Sequence, residues 1–117
     1  MPLIQLDTSF VFSDQNKKQA LAKMLSQIAA EGTGKPEQYV MACIQDNVAI
    51  AMSGAPGPAA LVTVKAIGGL SKSVNNALAA KISQLLQKEL SIPPNRVYVT
   101  FEELQPTNWA WDGKTFG

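Results

Sequence analysis

Apolar positions along the chain follow two rhythms, a short β-type run and then a helical spacing, and the pair occurs twice. Leu3-Ile4-Gln5-Leu6 reads as a strand ahead of Ser13-Asp14, either of which can cap a helix. Behind that cap, Leu21, Met24, Leu25 and Ile28 fall on one helical face. Gly32 and Gly34 are expected to stop this helix, and Pro36 keeps it from resuming before a strand over Tyr39 to Ile44. Downstream the order repeats. Leu61 to Ile67 reads as a strand broken by Gly68-Gly69, and Ser71 or Ser73 caps a helix bearing Val74, Leu78, Ile82 and Leu85. Pro93-Pro94 ends that helix before a strand from about Arg96 to Phe101.

The two halves also align residue by residue. A shift of 58 lays Leu3-Ile4-Gln5-Leu6 on Leu61-Val62-Thr63-Val64, Ser13 on Ser71, Ile28 on Leu86 and Pro36 on Pro94. Three segments agreeing on one offset make a duplication, with units 1–58 and 59–117 forming a single domain. Two βαβ units with right-handed crossovers give an α/β fold, a four-stranded mixed sheet with both helices on one face. The strands over Tyr39 to Ile44 and Val97 to Phe101 are apolar at consecutive positions, which asks for burial on both faces. Two helices cover only one. The other face is expected to meet further copies of the chain.

Composition sharpens this picture. The chain has 117 residues, enough for one core, and its 10 basic and 9 acidic residues leave a formal net charge of +1. So balanced a charge argues against nucleic acid or an anionic membrane as the main partner. Hydrophobic residues make up 46% and charged residues 16%, a low charged share that fits a surface shared with another subunit. With no His, imidazole-based triads and dyads and imidazole-ligated metals are excluded. Cys43 stands alone between Ala42 and Ile44, which reads as a small buried hydrophobe and allows no internal disulfide. No stretch approaches a membrane span and no signal-peptide pattern opens the chain, so the cytosol is the expected compartment.

Few groups remain that exchange protons near neutral pH. Glu102 and Glu103 are adjacent, but on a strand they point to opposite faces and form no acid–base pair. The α-amino group titrates near ~7.7, and burial lowers it further. Met1 precedes Pro2, a residue small enough for the initiator Met usually to be removed. Its removal leaves a secondary amine at the head of the first strand.

Pro2-Leu3-Ile4, Gly34-Lys35-Pro36-Glu37-Gln38-Tyr39-Val40-Met41, Ala66-Ile67-Gly68-Gly69-Leu70, Arg96-Val97-Tyr98-Val99 and Trp111-Asp112-Gly113-Lys114-Thr115-Phe116 together resemble, end to end, the macrophage migration inhibitory factor family of N-terminal-proline tautomerases, which includes D-dopachrome tautomerase. The resemblance implies a homotrimer and a keto-enol tautomerase of phenylpyruvate or dopachrome type, acting on a small aromatic α-keto acid or enol with no cofactor and no metal. It implies Pro2 as catalytic base, Lys35 and Ile67 as pocket residues of the same subunit, and Tyr98 as a residue lent by the neighbouring one. Thr100 stands where the family has an asparagine, and Trp111 and Phe116 are placed at the pocket rim. The family's Ser-Ile-Gly is Ala66-Ile67-Gly68 here, its acidic-Pro pair is Gly57-Pro58, and its Met-x-Phe-Gly-Gly is Ile50-Ala51-Met52-Ser53-Gly54. The Cys-x-x-Cys of some members is Ala59-Ala60-Leu61-Val62, which removes a thiol oxidoreductase role. The alternative implied by the same resemblance is a cytokine-like trimer that binds a protein receptor, its pocket vestigial, released without a signal peptide.

Overall fold

The computed structural model describes residues 1–117. Strand β1 (Leu3–Thr8) is followed by helix α1 (Gln15–Thr33) and strand β2 (Met41–Gln45); β3 (Ala60–Ala66), α2 (Lys72–Leu90) and β4 (Val97–Glu103) repeat the order. The sheet runs β2-β1-β3-β4. β1 and β2 are parallel, β3 and β4 are parallel, and β1 meets β3 antiparallel at the centre. This is the duplicated βαβ sheet that the repeat predicts. A short hairpin of β5 (Ala110–Trp111) and β6 (Lys114–Thr115) closes the chain.

One core lies between the sheet and the helices. Ile4 and Leu6 on β1 and Val62 and Val64 on β3 bury completely against Leu25 of α1 and Leu78, Ile82 and Leu86 of α2. Each such side chain contributes roughly 1.5–3 kcal/mol by leaving water. Both helices are 19 residues long, and their caps correspond. Asp14 accepts from the Asn16 N–H and Ser71 from the Val74 N–H; Gly34 and Ser91 end the helices in the left-handed region.

These caps correct the repeat. Asp14 to Ser71, Gly34 to Ser91, and the buried pairs Leu21 to Leu78 and Leu25 to Ile82 all step by 57, not 58. The offset of 58 survives in the first strands, where the inward Ile4 and Leu6 answer the inward Val62 and Val64. The second copy therefore lacks one residue between its strand and its helix. Ser71 caps α2, not Ser73, and the helix ends at Leu90, ahead of the prolines. Leu86 takes the buried position expected of Leu85, which is only half-buried, and Met24 lies at the exposed border of its helix.

Two further expectations fail for physical reasons. Gly32 does not stop α1: it lies inside the helix against Leu78, where any Cβ would run into the leucine side chain. Cys43 is exposed. On β2 the residues alternate, so Ala42 and Ile44 face the helices while Met41, Cys43 and Gln45 face away.

The face away from the helices is uncovered, as the helix count predicts, but it is mixed rather than apolar. Met41 and Tyr98 are each 66% exposed there and Leu61 40%. Among them stand Gln5, Asp7, Thr63, Lys65, Thr100 and Glu102. No helix is long and apolar enough to cross a membrane.

Candidate active site

Pro2 opens β1, and its place is set by both neighbouring strands. Its carbonyl accepts from the Met41 N–H at 3.1 Å, and the following Leu3 pairs with Met41 on β2 and Lys65 on β3. The Pro2 side chain is completely buried, and Met1 before it is half-buried. Beside it opens a cavity of about 350 Å³ lined by Met1, Pro2, Leu3, Tyr39, Met41 and Lys65 and, from the C-terminal segment, by Leu104, Asn108, Trp109, Ala110, Trp111 and Phe116.

The C-terminal segment is shaped by a hairpin. Asp112 and Gly113 both have positive φ (52° and 78°), the two-residue turn that an Asp-Gly pair favours, and this turn folds β6 back on β5. Phe116 N–H donates to the Trp109 carbonyl at 3.0 Å, which ties Phe116 to the same segment. Trp111 meets Tyr39 edge to face, ring centroids 5.9 Å apart at 86°.

Lys35 approaches from a different side. It follows the left-handed Gly34, and its side chain runs along the Gly68-Gly69 turn. That turn needs glycine twice: φ is 71° and 82°, and a Cβ on Gly69 would come within 3.2 Å of the Lys35 Cε and 3.1 Å of the Thr33 carbonyl oxygen. The terminal ammonium of Met1 is held below its ordinary pKa, first by burial and then by the positive charge of Lys35. Lys35 is thus electrostatically coupled to the chain start without lining the cavity.

Among the residues singled out from sequence, Pro2, Trp111 and Phe116 line one cavity, with Lys35 close by. Ile67 is half-buried in the turn after β3 and lies outside the cavity lining. Tyr98 and Thr100 do not enter it either; they stand exposed on β4, on the uncovered face. Lys65, Leu104, Asn108 and Trp109 carry no functional signal in the sequence, and Tyr39 stands there only within a strand and a family motif. The Asp112-Gly113 hairpin signal could have brought the segment around Trp109 to the chain start. Lys65 became visible only through its pairing with Leu3.

Fold and cavity together define a duplicated βαβ α/β protein with an aromatic-walled pocket at its amino terminus. A family profile described as macrophage migration inhibitory factor (MIF) matches residues 1–117. A macrophage migration inhibitory factor homolog of Brugia malayi is 36% identical over 118 residues, spanning 100% of both chains. Of the solved structures, macrophage migration inhibitory factor from Toxoplasma gondii superposes with a TM-score of 0.90 at 30% identity, over 97% of this chain and 99% of that one. The homologue from Prochlorococcus marinus gives 0.89 at 36% identity, over 98% and 99%. The chain belongs to the macrophage migration inhibitory factor family.

Proposed function

We propose that the protein is a keto-enol tautomerase of phenylpyruvate type whose base is the Pro2 amine, freed by removal of Met1. The observation that carries this reading is the depressed terminal amine beside an aromatic, largely apolar cavity. A neutral amine is a base; a protonated one is not. While Met1 is present, the Pro2 nitrogen is a tertiary amide with no basic lone pair. Once Met1 is gone, the terminal amine belongs to Pro2, whose ring is buried and lines the same cavity.

In the proposed reaction, the Pro2 nitrogen takes a proton from the carbon next to the substrate's keto carbon. The C–H electron pair becomes the C=C bond, the carbonyl π pair moves to oxygen, and that oxygen takes up the proton carried by the Pro2 ammonium, which gives the enol and restores the free amine. The reverse sequence gives the ketone. Lys35 attracts the substrate carboxylate, while Tyr39, Trp109, Trp111 and Phe116 hold the aromatic ring and exclude water. The chain works as one domain in a cytosolic homotrimer in which Tyr98 and Thr100, on the uncovered face, complete a neighbour's pocket, and Ile67 lines the assembled site. A receptor-binding role for the same trimer is the second reading; the name carried by its relatives favours it.

The test is ultraviolet turnover of enol to keto phenylpyruvate by protein whose N-terminus is verified by mass spectrometry. Activity is expected to follow the fraction of chains beginning at Pro2. Full turnover by Met1-retaining protein would overturn the proline base.

A further inference from the structure

The amino-terminal cavity holds one charged side chain in its wall that the proposed mechanism does not use. Lys65 is the single Lys, Arg, Asp or Glu lining it, in a wall otherwise apolar and aromatic save for Tyr39 and Asn108. Its position is fixed near the end of a central strand, opposite Leu3 on β1 and opposite Glu102 on β4. Its ammonium has three protons to donate and makes no hydrogen bond. The one acidic group near it, Glu102 Oε2, is 3.6 Å away, and the two side chains are 38% and 58% exposed. A pair that long and that wet contributes little and leaves the lysine free to exchange partners. Lys35, meanwhile, reaches the chain start across the Gly68-Gly69 turn, outside the cavity wall. Two cations therefore approach Pro2 from different elements.

We propose that Lys65 recognises a second anionic group, so that the preferred substrate is an α-keto acid carrying a further carboxylate or comparable anion at the end remote from its keto acid. Lys35 takes the carboxylate next to the keto group, and Lys65 takes the distal one. Apolar walls strengthen such a contact by keeping competing water away. Glu102 acts against it, as the intramolecular anion that the substrate displaces. Lys65 is a specificity-determining residue and moves no proton. The proposal rests on the tautomerase reading for the role of Pro2 and Lys35.

The experiment compares phenylpyruvate with 4-carboxyphenylpyruvate on Pro2-initiating protein. Binding is read by quenching of Trp109 and Trp111 fluorescence, and turnover is followed separately. The native protein is expected to prefer the diacid. Lys65→Gln should cut the diacid-to-monoacid affinity ratio about tenfold, the scale of one lost charge-assisted hydrogen bond. Lys65→Arg should keep most of the preference, and Glu102→Gln should hold or raise it. If Lys65 serves only its pair with Glu102, Lys65→Gln and Glu102→Gln will act alike on both ligands, and the proposal fails. An equal affinity of the native protein for both ligands would overturn it too. A protein that selects the diacid but turns over neither ligand would support Lys65 and refute the tautomerase. One that turns over phenylpyruvate yet ignores the second carboxylate would do the reverse.

Discussion

At the scale of single residues, Lys35 has two separable effects. It lowers the proton affinity of the terminal amine, and under the tautomerase reading it binds a carboxylate. Lys35→Ala should therefore raise KM for phenylpyruvate by an amount worth on the order of 1.5–3 kcal/mol. It should also move the acidic limb of the kcat/KM profile to higher pH, because a positive neighbour no longer disfavours protonation. An ester of the same substrate should show the shifted limb without the large KM change. Equal KM losses for acid and ester would mean that Lys35 only shapes the turn. The depressed amine has a consequence for stability as well. Between its lowered pKa and the ordinary α-amino value the unfolded chain binds more protons than the native one, so stability rises with pH through that window. Asp46 runs by the carboxylate rule. Its pair with Lys18, 2.8 Å long, and its bond from the Phe12 N–H hold it below the usual range, so this contribution is present above that range and is lost as pH falls through the lowered pKa.

At the scale of elements, helical spacing located α1 and α2 and most of their buried faces, because period and burial are the same fact there. It misjudged Gly32, since a glycine in a helical pattern looks like a stop until a neighbour is known to need the space. That neighbour is Leu78 on the other helix. Gly32→Ala would gain about 1 kcal/mol of helix propensity and lose roughly 1–3 kcal/mol to overpacking against a fully buried side chain. Net destabilisation is expected in urea unfolding, and an unchanged or higher midpoint would mean that the helices separate freely. Cys43 shows the opposite limit. Its apolar neighbours argue for a strand but not for which side of it faces the helices, and here that side belongs to Ala42 and Ile44. The site divided in the same way. Pro2, Trp111 and Phe116 were legible through family motifs, whereas Lys65 needed the β1–β3 register.

At the scale of the whole molecule, the uncovered sheet face decides the state of assembly. Met41, Leu61 and Tyr98 lie open on it, yet Lys65 and Glu102 share the same face. A large apolar patch would collapse with any partner; a mixed one specifies a register through polar groups such as Gln5, Asp7 and Thr63. Sedimentation at micromolar concentration is expected to give one species of three chain masses. A stable monomer would remove Tyr98 and Thr100 from any neighbour's pocket. The loop over residues 52–58 is already tied to the second unit, because the Arg96 guanidinium donates to the Met52, Ala55 and Pro58 carbonyls.

The duplication is symmetric in architecture and asymmetric at its two poles. In the first strands a step of 58 carries Pro2 onto Ala60, so Ala60 occupies the corresponding pole of the second unit. That pole is sealed. The chain arriving through Gly57 and Pro58 covers it, and the Ala59 carbonyl accepts from both the Thr8 hydroxyl and the Ser9 N–H. The Ala60 nitrogen is an ordinary amide. The two like halves therefore differ at this position: Pro2 lines the cavity of about 350 Å³, while Ala60 is buried and lines none of comparable aromatic wall.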